Sequence, residues 1–136
     1  ALPILIYSLS HVSISYKDLN KVEHFYIKIL GLKKIHEFKN KNITYGIFLY
    51  AGNNTFLEFF YSKKKVINKN SNLRHICFTT KNILKIKKKL SKFFKGIKII
   101  RGKTDCVAQF FVKDFENNII EFHQYDNKSI QYQYIK

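Results

Sequence analysis

The sequence predicts an α+β fold of two tandem βαβββ modules, whose sheets form an open half-barrel with the helices on the outside. Two observations carry this. A shift of 64 residues lays His11-Val12-Ser13-Ile14-Ser15-Tyr16-Lys17-Asp18-Leu19 over His75-Ile76-Cys77-Phe78-Thr79-Thr80-Lys81-Asn82-Ile83, and a shift of 63 lays Phe56-Leu57-Glu58-Phe59 over Ile119-Ile120-Glu121-Phe122. The chain therefore holds one unit twice. Within each copy, apolar and polar residues alternate along strand-like runs, and one stretch only carries apolar residues at helical spacing.

The first module, about 7–61, opens with a strand at 11–16, where His11, Ser13 and Ser15 alternate with Val12, Ile14 and Tyr16. Asp18 then offers an N-cap; Leu19, Val22, Phe25, Tyr26, Ile29 and Leu30 make one apolar helix face, and Gly31 ends the helix. Strands are expected at 33–38, 44–50 and 55–61. Residues 62–72, a Lys run followed by an Asn/Ser-rich stretch, suit a linker. The second module, about 73–125, repeats the plan. It has a strand at 75–80, an Asn82 cap, a helix through Ile83, Ile86, Leu90, Phe93 and Phe94 to Gly96, and strands at 98–101, 107–112 and 118–125. A tail occupies 126–136.

With 136 residues, 46% hydrophobic and 16% aromatic, the chain has material for one domain-sized core, which excludes collagen-like, low-complexity and disordered classes. No apolar run reaches the roughly 20 residues of a membrane span, and the opening Ala1 to Ile6 lacks the basic start of a signal peptide; a soluble, cytoplasmic protein without a membrane partner is expected. The formal charge of +16 raises the question of nucleic acid. Yet the basic residues are 23 Lys and 2 Arg, and Lys, Asn, Ile, Phe and Tyr fill 76 of the 136 positions, as A/T-rich codons would supply. Arg is the side chain that reads bases bidentately, so no specific nucleic-acid partner is expected, whereas an anionic small ligand fits the charge. Cys77 and Cys106 lack a CxxC spacing and read as reduced core or cavity thiols.

The repeat superposes His11 on His75 and Glu58 on Glu121, at separations of 47 and 46 residues. Strand alternation puts each His, and each Glu, on the face opposite the helix. A carboxylate inside Phe56-Leu57-Glu58-Phe59-Phe60 is costly unless paired or metal-bound. One alternative is that each Glu pairs with a Lys at a sheet edge and each His is an ordinary strand residue. Against it, two such placements come from five Glu in the chain. The set of four predicts a divalent metal site of mixed imidazole and carboxylate ligation, with room for water or substrate oxygens.

These residues resemble the vicinal oxygen chelate superfamily, which includes glyoxalase I, bleomycin-resistance proteins, methylmalonyl-CoA epimerase, fosfomycin-resistance thiol transferases and extradiol dioxygenases. The resemblance spans roughly 7–124. It rests on His11 with Asp18, on Phe25-Tyr26-Ile27-Lys28-Ile29-Leu30-Gly31-Leu32, on Arg74-His75-Ile76, and on Phe111-Val112-Lys113-Asp114-Phe115-Glu116-Asn117-Asn118-Ile119-Ile120-Glu121-Phe122. The family's Pro-Asp/Glu-Gly turn is replaced by Phe115-Glu116-Asn117, with Asn117 able to take the left-handed geometry of the missing Gly.

Glu at position 58, in line with His11, His75 and Glu121, is the glyoxalase I pattern. The resemblance therefore implies one divalent ion per site (nickel, cobalt or zinc), a homodimer, and isomerisation of a methylglyoxal–thiol hemithioacetal to a thioester. Both Glu58 and Glu121 would act in catalysis, Glu121 as the base that moves the carbon-bound proton and Glu58 as the more permanent ligand; the repeat also allows the reverse. Tyr45, Phe60, Phe111 and His123 are expected to line the cavity, with His123 either a partner behind the ligands or a plain strand residue. The competing readings are another superfamily activity, such as an epimerase or thiol transferase, and a protein that sequesters a drug or metabolite.

Overall fold

In the computed structural model, which describes residues 5–64 and 72–135, the chain divides into two units, Ala1–Ile67 and Asn68–Lys136. Most of the expected linker, residues 65–71, and the opening residues 1–4 lie outside the described residues. In module one, β1 (His11–Tyr16) is followed by a helix and then by β2 (Lys33–Asn40), β3 (Ile43–Gly52) and β4 (Thr55–Tyr61). The sheet order is β1-β4-β3-β2. β1 pairs with β4 in parallel, so the chain must cross over between them, and the helix makes that crossing while covering one face of the sheet. The remaining pairs are antiparallel.

The helix differs from the expected uninterrupted α-helix. The Asp18 carboxylate accepts from the Asn20 N–H at 2.9 Å, and α1 (Leu19–Val22) is regular. From Glu23 to Ile29 the turns widen into a π-helix, with Leu30 N–H donating to the Phe25 carbonyl at 3.0 Å. The wider turns let the adjacent rings of Phe25 and Tyr26 enter the core together, at 0% and 1% exposure and 4.8 Å between centroids. Gly31, at φ +79°, reverses the chain where a side chain would be strained. Lys34 of β2 then ties the sheet to the helix, at 2.8 Å from Glu23 and 2.6 Å from Glu37.

Tyr16, Val22, Ile29, Ile47, Leu49, Leu57 and Phe59 complete the module-one core between helix and sheet. The opposite face is aromatic as well. There the Phe60 ring lies over Gly46, where any Cβ would stand 2.5 Å from it, so the absence of a side chain at Gly46 is what lets Phe60 lie flat. Phe38 and Tyr45 pack on that ring, with centroids 5.1 and 6.2 Å away.

Module two repeats the design with β5 (Ile76–Thr79), α2 (Ile83–Leu90), β6 (Ile100–Arg101), β7 (Ala108–Lys113) and β8 (Ile119–Gln124), in the order β5-β8-β7-β6. β5 and β8 are parallel. The Asn82 side chain caps α2 by accepting from Lys85 N–H at 3.0 Å. This helix stops at Leu90, short of the expected Gly96: the Ser91 hydroxyl turns back onto the Lys87 carbonyl at 2.7 Å, and both Phe93 and Phe94 N–H groups donate to the Leu90 carbonyl. Phe94 still reaches apolar company, stacking on Phe115 at 5.9 Å.

The turn before β8 is organised by Asp114, 5% exposed, whose carboxylate accepts from Glu116 N–H, Asn118 N–H and the Asn118 amide. Asn117 takes φ +69° there, the left-handed geometry expected of it. The tail makes a short 3₁₀ turn (Tyr132–Tyr134) and is pinned by Arg101 to Asp126 at 2.8 Å. No helix among the described residues is long and apolar enough to cross a membrane.

Candidate metal centre

Parity along the strands decides what the helix-free face of each module displays. In module one it carries His11, Ser13 and Ser15 of β1, Phe56, Glu58 and Phe60 of β4, and Phe48 of β3. Ser13 and Phe48 flank Glu58 in register, which leaves His11 on the diagonal one step back. His11 meets Phe48 edge-on at 5.7 Å. Glu58 is half-buried. Among the described residues it has neither an ion pair nor a hydrogen bond to Lys or to His11. Glu23 and Glu37, by contrast, do pair with Lys.

Module two presents the same constellation, drawn closer together. Cys77 and Phe111 flank Glu121 in register, and His75, just before β5, occupies the diagonal. It meets Phe111 edge-on at 5.5 Å, as His11 meets Phe48. Its Nε2 reaches the Glu121 carboxylate at 2.9 Å. Glu121 is 8% exposed, and its charge is met by an imidazole rather than by Lys. An open hollow of about 720 Å³ lies against His75, lined also by Arg74, Phe111, Val112, Lys113 and Ile119. Of the expected lining residues, Phe111 borders it, whereas Tyr45 and Phe60 belong to the aromatic face of module one.

The two cysteines match the expectation of reduced thiols and part from its core alternative. Both are free, but neither is a core thiol: Cys106 lies in the loop before β7 at φ +58°, and Cys77 is an exposed residue on the helix-free face, in the same alternating set as His75. Burial first, then the charge of Glu121 and a hydrogen bond to it, push the Cys77 thiol above the ordinary cysteine range. One step along β8, burial pushes His123 down, which the charges of Glu121 and Asp105 partly oppose. Ligand atoms of Cys77, Glu121 and His123 all lie within 4.8 Å of one another. Cys77 was legible only through parity, since its apolar surroundings in the sequence read as core.

The profile of the Glyoxalase/Bleomycin resistance protein/Dioxygenase superfamily matches residues 8–122. No curated protein matches the chain. Among solved structures, the chain is similar to a glyoxalase family protein from Enterococcus faecalis, at 22% identity, covering 88% of this chain and 99% of that one, with a TM-score of 0.71. It is also similar to a lactoylglutathione lyase from Agrobacterium tumefaciens, at 16% identity, 92% and 97% coverage and a TM-score of 0.66. A third is a variant of the fosfomycin resistance protein FosX from Listeria monocytogenes, complexed with Mn(II) and 1S,2S-dihydroxypropylphosphonic acid, at 17% identity, 96% and 100% coverage and a TM-score of 0.71. At these identities the likeness is one of fold.

Proposed function

Because the chain belongs to the Glyoxalase/Bleomycin resistance protein/Dioxygenase superfamily, we propose that it is a metal-dependent, glyoxalase I-like isomerase that turns a methylglyoxal–thiol hemithioacetal into a thioester. The observation that carries this reading is Glu121, a buried carboxylate held at 2.9 Å by His75, which itself lines an open hollow.

The donors suit a divalent ion. Each module offers one imidazole and one carboxylate, and Glu58 is a half-buried carboxylate with no partner among the described residues. We assign His11, Glu58, His75 and Glu121 as ligands of nickel, cobalt or zinc. Bound there, the ion would supply Lewis-acid stabilisation of charge on two neighbouring substrate oxygens.

The chain's own groups do the rest. Glu121 takes the proton from the hydroxyl-bearing carbon and returns it to the neighbouring carbonyl carbon, while the hydroxyl proton passes from the first oxygen to the second, so substrate and product are isomers and no co-reactant is consumed. Phe111 and Ile119 give the hollow an apolar wall, and Arg74 and Lys113 bring positive charge to it, which favours a thiol that bears carboxylates, such as glutathione. The assembly proposed is a homodimer, and light scattering is expected to give about twice 16.2 kDa; a monomer mass at every concentration would reject it.

Metal analysis of chelator-free Cys77→Ser protein, which lacks the neighbouring thiol donor, is expected to find about one divalent ion per chain, lost when His75→Ala or His11→Ala is added. Full occupancy in both variants would refute the ligand set. Turnover is tested by thioester formation from methylglyoxal and cellular thiols with nickel, cobalt or zinc loaded in turn. A filled site without turnover above the uncatalysed rate would replace this reading with a transferase, an epimerase or a sequestering protein.

A further inference from the structure

We propose that module two contains, within itself, a site for a thiophilic divalent cation made by Cys77, Glu121 and His123. This goes beyond the proposed function, because it calls on neither His11 nor Glu58. The three residues come from adjacent strands held in parallel register, Cys77 opposite Glu121 and Thr79 opposite His123, so the sheet backbone itself sets their spacing. Their ligand atoms lie within 4.8 Å of one another. Bond lengths of about 2.0–2.3 Å to nitrogen, oxygen and sulfur place tetrahedral ligands within about 4 Å of one another, a distance that side-chain rotation alone can close here.

The chemistry of the set is selective. Sulfur, imidazole and carboxylate together suit zinc, cobalt or cadmium, whereas magnesium and manganese prefer oxygen. Three protein donors leave a tetrahedral ion one open position. A thiol binds metal as thiolate, so binding exchanges the Cys77 proton for the ion and bonds the carboxylate of Glu121 to it as well. The Tyr125 ring packs against that of His123 at 4.2 Å and helps hold the imidazole in place. Glu121 belongs to both sets of donors. An ion seated on Cys77 and His123 therefore occupies the carboxylate that the isomerase reading needs free, and thiophilic metal in excess becomes an inhibitor of that reaction.

The test is spectroscopic and independent of turnover. Metal-free protein titrated with cobalt(II) is expected to develop the intense near-ultraviolet band of thiolate-to-cobalt charge transfer. The band should vanish in Cys77→Ser and persist in Cys106→Ser, His11→Ala and Glu58→Gln. In His123→Ala cobalt affinity should fall at least about tenfold, the lower bound seen even for losing an outer-shell partner. Cobalt bound without the band, a band that survives Cys77→Ser, or one that disappears in His11→Ala would each overturn the proposal. Failure of the isomerase reading is read separately, from the absence of thioester with any metal.

Discussion

Glu121→Gln is expected to reduce thioester formation by about 10²–10⁴-fold, the contribution of a positioned base, while the protein stays folded. The amide matches the carboxylate in shape, and its carbonyl can still accept from the His75 imidazole, now 2.9 Å from the Glu121 oxygen. The change therefore removes proton affinity while sparing packing. Glu58→Gln should behave differently. Glu58 has no such partner among the described residues, so its role in the reading is to hold metal, and its replacement should show mainly as weaker metal affinity that higher metal concentration restores. Rates and metal content measured together on both variants separate the two roles. A Glu121→Gln protein that turns over at the wild-type rate would move the base to Glu58, and equal losses in both variants would remove the distinction.

The largest effect on stability is expected from Phe59→Ala. Phe59 is 1% exposed on β4, between Ile14 and Ile47 of the flanking strands, with Tyr26 of the π-helix at 4.9 Å. Deleting such a ring leaves a cavity walled by a sheet and a helix, neither of which can collapse into it. A cost of about 3–5 kcal/mol is expected, against a total of about 5–15 kcal/mol for a domain. Phe60→Ala, one residue on, removes the same atoms from the open face and should cost much less. Denaturant midpoints of the two variants make the comparison, and equal shifts would show that the open face carries a core of its own.

How much of this was legible depended on which contacts made each feature. Strands followed from alternation: β1 and β4 lie where the pattern puts them, and the others differ by a few residues at their ends. Caps followed from Asp18 and Asn82, because a side chain bonding to its own next turn needs no tertiary information. The π-helical widening did not follow, since it is the sheet that draws Phe25 and Tyr26 inward together. Nor did the end of α2, where Phe93 and Phe94 continue the apolar spacing but reach their neighbours from a turn. At the candidate site, parity placed His11, Glu58, His75 and Glu121 on the helix-free faces. What parity could not give was the closeness of Cys77 to Glu121, a matter of cross-strand register.

The pairing of β1 with β4, and of β5 with β8, also sets an order of assembly. Each Glu sits on a strand whose antiparallel neighbour is joined to it by a tight turn, at residues 53–54 in module one and 114–118 in module two, so the carboxylates are delivered by hairpins that close quickly. Each His enters through a parallel pair that must wait for a whole helix and two further strands to be threaded, with the loop-closure entropy that entails. Loop closure therefore predicts that the imidazoles are the last donors to reach their places. A cation that needs both kinds of donor acts on the final docking step of each sheet, and in doing so slows unfolding more than it speeds folding.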